Sequence, residues 1–198
     1  MPPSVLDLAR GFELYQGLVG ASGSKRRFVE GFVRPRPGDR VLDLGCGTGA
    51  LLGFMPEGVE YVGVDVDERY IAAARNRYGT RAEFVCADGT SYRPEGTYDL
   101  AVAYGVLHHL DDAQARSLLG VAKAASRFVA AEPCTAPGSA MLERWVMAHD
   151  RGRFIRDEGA YLDLVRTAFP QVSAELVPGT YRIPFTLVVL DGRAGGAP

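Results

Sequence analysis

Lysine is nearly absent from this 198-residue chain: twenty arginines stand against two lysines, and the only basic run is Lys25-Arg26-Arg27. With a net charge of −2 and a pI of about 5.9, the chain lacks the broad cationic face that tracks a nucleic-acid backbone, which argues against nucleic acid as the partner. Cysteine is scarce as well. Cys46, Cys86 and Cys134 share no C-x-x-C spacing, which argues against a structural zinc site or a disulfide framework, and they read as small buried thiols. No run of about twenty apolar residues exists, so no membrane-spanning helix is expected. The opening Met1-Pro2-Pro3-Ser4 lacks the charged-then-apolar pattern of a secretory signal, which points to the cytoplasm. Neither an internal repeat nor a linker is visible.

What is present is 47% hydrophobic and long enough for one sizeable core, so residues 1–198 read as a single domain. Strands and helices alternate, the pattern of a parallel sheet covered on both faces. Val5, Leu8, Ala9 and Phe12 stripe a first helix, and a second runs from about Ser24 to Val33, stopped by Arg34-Pro35-Arg36-Pro37-Gly38. Asp67 reads as a helix cap. Asp111 and Gln114 form a capping box ahead of a helix with Ala115, Leu118, Leu119 and Ala122 on its buried stripe. Arg127 to Glu132 is a fifth strand. Met141, Leu142 and Trp145 mark a helical insertion, and Tyr161, Leu164, Val165 and Ala168 mark another helix ended by Pro170. Gln171 to Val177 and Ile183 to Leu190 form an antiparallel hairpin, and Gly192 to Pro198 a loose tail.

The segment Val41 to Gly49, V-L-D-L-G-C-G-T-G, runs a hydrophobic strand into three alternating glycines and then toward a helix. Such glycines let a ligand approach the backbone and take the positive φ of a tight turn. A dinucleotide fingerprint needs G-x-G-x-x-G; this chain has G-x-G-x-G with Asp43 two places before the first glycine, so an NAD-dependent oxidoreductase fits poorly. Asp43, Gly45, Cys46, Gly47 and Gly49 are the loop's candidate cofactor residues. Asp65 ends the short strand Tyr61 to Asp65, 22 residues after Asp43, where α/β nucleotide folds place a carboxylate for ribose hydroxyls. Val66, next to it, can press an apolar face on a base.

That loop resembles motif I of class I S-adenosylmethionine-dependent methyltransferases, and from Arg40 to Glu132 the resemblance continues motif by motif. It implies an α/β, Rossmann-like, doubly wound seven-stranded sheet, mostly parallel with an antiparallel terminal hairpin strand and helices on both faces. Residues 1–37 then form an N-terminal helical cap, 38–132 the cofactor-binding core, 133–170 a helical insertion forming the acceptor region, 171–191 the terminal hairpin and 192–198 the tail. Glu83 to Asp88 is similar to the family's third strand, which implies that Asp88 and Gly89 meet the adenine. Tyr98 to Leu110 is similar to its fourth, which implies that Tyr104 and Gly105 lie beside the methionine part of the cofactor. Leu18 to Ala21, Asp150 to Gly152 and Arg182 to Thr186 resemble stretches of small bacterial methyltransferases of unassigned acceptor. The cofactor implied is S-adenosyl-L-methionine, with S-adenosyl-L-homocysteine as product.

Methyl transfer from a sulfonium needs alignment and exclusion of water above all. A hydroxyl acceptor also wants a base near neutral pH, which makes His108, His109 and His149 the catalytic candidates. His108 and His109 follow strand four, and vicinal side chains point apart, so at most one easily reaches the substrate. Asp150, Arg151, Arg153, Arg156 and Arg182 are candidates for an acceptor pocket, with Arg144 nearby, and the arginines suit a carboxylate or phosphate. Solvated surface charge is the plainer reading in so arginine-rich a chain. Tyr15 and Arg26 can reach back to the cofactor carboxylate. No catalytic metal is expected, since helix capping accounts for Asp111 and Asp112. The expected activity is methylation of a small-molecule acceptor at oxygen, nitrogen or carbon. The alternatives are a non-catalytic cofactor-binding sensor or partner subunit, and a nucleic-acid methyltransferase; the N/D-P-P-Y type motif is missing where this chain has Ala103-Tyr104-Gly105-Val106.

Overall fold

The apolar runs form the strands β1 (Arg40–Leu44), β2 (Glu60–Asp65), β3 (Glu83–Cys86), β4 (Tyr98–Tyr104), β5 (Ala125–Pro133), β6 (Gln171–Val177) and β7 (Leu187–Arg193) in a computed structural model that describes residues 21–135, 153–178 and 186–195. They join in one sheet of order β3-β2-β1-β4-β5-β7-β6. The first five pair in parallel. β7 lies antiparallel between β5 and β6. Nearly every residue of β1 and β4 is buried, as parallel strands covered on both faces require.

Successive side chains of a strand point to opposite faces, and the core divides accordingly. Leu42, Leu44, Ala101 and Ala103 face α3 (Asp112–Ala122) and α4 (Glu158–Arg166), packing with Leu118, Leu119, Tyr161 and Leu164. Val41, Leu100 and Val102 face α1 (Ala21–Phe28) and α2 (Glu68–Tyr78), packing with Phe28, Val29, Ile71 and Ala74. The caps lie where the sequence puts them. Asp67 accepts from Arg69 N at the start of α2, and Asp111 with Gln114 closes a reciprocal capping box on α3.

Several boundaries differ from the sequence expectation. The helix expected from about Ser24 already includes Ala21, and its last turn, Val29–Val33, widens to a π-type turn that ends at Arg34 with φ 52°. No α-helix follows the glycine loop; the connection to β2 is a set of turns and one 3₁₀ turn, Leu52–Phe54. Gly49 and Gly53 weaken a helix there and Pro56 forecloses it within seven residues. β3 stops at Cys86, because Asp88 Oδ1 accepts from Thr90 N and Oγ1, both at 2.8 Å, and turns the chain. β5 is longer than expected at both ends. Cys46 and Cys134 are buried but Cys86 is exposed, at the end of a short strand with a neighbour on one side only. α4 ends at Arg166, ahead of Ala168. Gly192, assigned to the tail, belongs to β7: it pairs with Phe128 and Val172, and a Cβ there would fall 2.8 Å from the Phe169 Cβ. The first helix, the helical insertion and the start of the last strand at Ile183 lie outside the described residues. Among the described residues no helix is long and apolar enough to cross a membrane.

Candidate functional site

The chain reverses its direction of travel across the sheet between β1 and β4, and at such a switch point the carboxyl ends of the strands diverge and leave a crevice. A cavity of about 570 Å³ lies there. Gly45, Gly47 and Gly49, with φ of 79°, 53° and 71°, wrap one side of it. A Cβ on Gly45 would fall 2.5 Å from Val106 Cγ2, whereas one on Gly47 would meet nothing within 4 Å. Gly45 is therefore glycine for packing inside the protein, and Gly47 leaves its open side to the cavity.

Asp65 lines the cavity and also shapes it. Its Oδ2 accepts from Gly47 N at 2.8 Å, and its Oδ1 from Asp67 N at 2.9 Å. The carboxylate thus fixes the glycine loop from the neighbouring strand while lone pairs remain for a ligand. Val66 beside it is 74% exposed at the cavity wall, an apolar surface left largely uncovered among the described residues. Asp88, Gly89 and Thr90 line the far end after β3. The two N–H···O and O–H···O bonds from Thr90 hold the Asp88 carboxyl below its ordinary range.

Asp43 lies deep in the cavity floor, 1% exposed. The Tyr61 hydroxyl donates to its Oδ2, and Oδ1 has no hydrogen-bond partner among the described residues. Burial pushes its pKa up to about 7, against the opposing effects of the Tyr61 hydrogen bond and of Lys25. Cys46, also a lining residue, has its thiol pushed up by burial and by the nearby Asp43 charge.

At the other end, Tyr104 and Gly105 close the wall after β4. The Tyr104 hydroxyl shares a 2.6 Å hydrogen bond with Ser24 Oγ, and its ring meets Phe28 edge-on with centroids 5.3 Å apart; α1 is therefore seated on the rim of the cavity. The arginine expected to face the ligand from this helix does not line it. Arg26 is exposed, with its guanidinium 5.6 Å above the Phe54 ring, and Lys25 lines the cavity instead, since one residue turns a helical side chain by about 100°.

The paired histidines part as vicinal side chains must. His109 is exposed and lines the cavity; His108 is buried behind it, the rings 3.9 Å apart between centroids. His108 Nδ1 lies 2.7 Å from Glu132 Oε2. Glu132 is fully buried and accepts from three successive backbone N–H groups, those of Val106, Leu107 and His108 at 2.9, 2.8 and 3.3 Å. Glu132 thus gathers three backbone donors and the His108 ring, whose Nδ1 faces the carboxylate and whose Nε2 is the ring's other nitrogen.

Arg156 departs from its expected place in an acceptor pocket. Its side chain is only 9% exposed and donates to the carbonyls of Leu107 and Leu110 at 3.0 and 2.9 Å and to Asp112 at 2.7 Å. Its donors are committed to the turn after β4, and Asp112 serves as its counterion rather than as a metal ligand. Arg153 is exposed. Tyr15, His149, Asp150, Arg151 and Arg182 lie outside the described residues, as does Arg144. Among the described residues no group of three or more His, Cys, Asp or Glu is placed to hold a metal ion.

Lys25, Tyr61 and Glu132 are the contributors that sequence reasoning passed over. Only Glu132 leaves a signal, a lone charge in the apolar run Phe128 to Pro133, since a charge in a buried strand implies partners.

Comparison with known proteins bears on this geometry. Residues 41–127 match a family described as "Methyltransferase domain". Phosphoethanolamine N-methyltransferase 1 of Arabidopsis thaliana is 29% identical over 171 residues, covering 81% of this chain and 35% of that protein. Ribosomal protein L11 methyltransferase of Ralstonia pickettii is 42% identical over 102 residues, covering 46% of this chain and 33% of that protein. The chain therefore spans about a third of the length of these curated relatives. Magnesium protoporphyrin IX methyltransferase of Synechocystis PCC 6803, solved with bound S-adenosylhomocysteine, superposes with a TM-score of 0.69 at 19% identity, covering 91% of this chain and 87% of that one, which shows a shared fold.

Proposed function

We propose that this chain, whose residues 41–127 match the methyltransferase domain family, is a class I S-adenosylmethionine-dependent methyltransferase that moves the methyl group of S-adenosylmethionine to a small-molecule acceptor by in-line displacement. One observation carries the proposal: the groups such a cofactor needs line a single cavity in the order of the strands. From β3 to β4 these are Asp88 and Gly89, then Asp65 and Val66, then the glycine loop, then Tyr104 and Gly105. Val66 offers its exposed apolar face to adenine, and Asp88 with the Gly89 N–H its hydrogen bonds. Asp65 accepts from the ribose hydroxyls with a carboxylate that Gly47 and Asp67 have already oriented. The open side of Gly47 is a cradle that a Cβ would fill.

The sulfonium of the bound cofactor supplies an electrophilic methyl group. The chain's part is to align an acceptor, exclude water and receive a proton where the acceptor is a hydroxyl or an ammonium. His109 lines the cavity, and His108 behind it has its ring held by Glu132; these two are the proton acceptors in this reading, with His149 a third candidate. A phosphorylated amine, the acceptor named for the Arabidopsis relative, carries a phosphate of the kind Arg151, Arg153 and Arg182 suit and an amino group that Asp150 suits. Arg156 is omitted from that group because its donors are used internally. A cytoplasmic location belongs to the same proposal.

The test is calorimetric titration with S-adenosylhomocysteine, followed by transfer of labelled methyl groups to a panel of phosphorylated amines, phenols and carboxylates. Binding and transfer to a panel member are expected. Tight binding without transfer to any acceptor favours the sensor reading, and failure to bind overturns the cofactor assignment.

A further inference from the structure

The two edges of the sheet differ. β3 is a short edge of 4 residues. β6, at the other end, is paired with β7 over its whole length, Gln171–Val177, and carries no bulge, proline or lysine of the kind that blunts an edge. Glu175 is its one charge. The hydrogen bonding of β7 fixes what this edge offers. Ala194 N donates to Ser126 O at 3.0 Å, and residues of an antiparallel strand turn their polar groups to one neighbour and the other in alternation. Arg193, Asp191 and Val189 therefore turn theirs to β6, where they meet Gln171, Ser173 and Glu175. The N–H and C=O groups of Val172, Ala174 and Leu176 point away from the sheet, and no described strand takes them.

We propose that β6 is a dimerisation strand, pairing antiparallel with β6 of a second copy about a two-fold axis at Ala174 and joining the two sheets into one. Ala174 then faces its own counterpart and Val172 faces Leu176, so every outward polar group of these residues is met at once. A slip to either side sets Leu176 against Pro170 or Val172 against Pro178, and proline has no N–H to give. The side chains suit the same register. Val172, Ala174 and Leu176 pack against the core beneath α4, and their pairing extends that apolar surface across the axis. On the opposite face the exposed Ser173 stands against the partner's Glu175, so the like charges are not opposed. The partner's Glu175 also arrives at the mouth of a second cavity, of about 550 Å³, lined by Ser173, Arg34, Arg36 and Arg193. Apart from Glu175 itself, the carboxylates of that lining are engaged, Asp191 by Arg127 and Asp39 and Asp99 by the backbone N–H groups of Arg36 and Arg40. Arg34, Arg36 and Arg193 form no ion pair among the described residues, and a carboxylate brought from outside complements them.

Sedimentation velocity of the full chain over about 1–200 μM tests this, the range suited to a small interface. A reversible dimer of twice the 21.3 kDa chain mass is expected. Ala174→Pro removes an outward N–H while sparing the ladder to β7, and should leave a monomer. Ser173→Lys sets a lysine opposite the partner's Glu175, twice by symmetry, and should tighten the dimer by about two- to thirtyfold; Ser173→Glu should weaken it on the same scale. Position 173 is exposed, so these two variants decide the matter if thermal melting shows that Ala174→Pro does not fold. A wild-type chain that stays monomeric overturns the proposal, whether its edge takes a foreign strand or none. So do assemblies larger than a dimer, because a two-fold pair leaves no second β6 edge open. Weakening by both Ser173 variants means another register and no response to either means another face, and each result overturns the pairing.

Discussion

Gly45 and Gly47 are two residues apart, share a positive φ and do opposite work. An alanine at Gly45 adds a methyl 2.5 Å from Val106 to the cost of its φ of 79°, so Gly45→Ala should lower stability by about 2–4 kcal/mol in urea denaturation. Gly47→Ala meets open space and should cost only the backbone strain, about 1–2 kcal/mol. The same Gly47→Ala methyl points at the ligand and should weaken S-adenosylhomocysteine binding by about tenfold or more in calorimetry. Asp65→Ala removes an acceptor of ribose hydroxyls and the anchor of Gly47 N together; a loss of about 1.5–3 kcal/mol in affinity is expected by the same titration, and unchanged affinity would remove Asp65 from the site. These positions are legible in sequence because backbone conformation and strand-end carboxylates obey fixed spacings. Lys25 and Arg26 differ only in which way a helix turns them, and the sequence does not say which side of that helix meets the cavity.

At the scale of elements, the turn after β4 is gripped from two sides. Glu132 from β5 takes its N–H groups, and Arg156, just ahead of α4, takes its carbonyls. The two grips are unequal. Glu132→Ala strands four donors in a fully buried place and should cost about 3–5 kcal/mol, whereas Arg156→Ala removes a side chain that ends beside the exposed Asp112, so water can follow it in to the freed carbonyls, at about 1–3 kcal/mol; chemical denaturation of both variants checks the order. The helix caps, the apolar stripes of α3 and α4 and all seven strands were readable because each depends on residues close in sequence. The grip on this turn was not, since Glu132 and Arg156 act on residues 24 to 49 positions away. The helix expected after the glycine loop failed for a local reason that was in view, the proline that closes the segment.

The whole molecule stores one electrostatic cost in its centre. Folding raises the Asp43 pKa from 3.8 to about 7, so between those values the folded chain holds a proton that the unfolded chain has released. Stability should therefore fall as pH rises from about 4 to about 7 and level off above. Asp43→Asn keeps an acceptor for Tyr61 and removes the titration; its urea midpoint should gain on the wild type as pH goes from 5 to 8, and parallel midpoints would contradict the assignment. The sheet order itself has a further consequence, for synthesis. β6 leaves the ribosome before β7, yet β7 lies between it and the rest of the sheet. Until Leu187–Arg193 emerges, β5 keeps an open edge lined by Phe128, Val129, Ala130 and Ala131, and β6 has no strand to join. β7, the latest in sequence of the seven described strands, is the one that seals the sheet, and a nascent chain that stalls before it exposes an adhesive edge to its neighbours on the polysome.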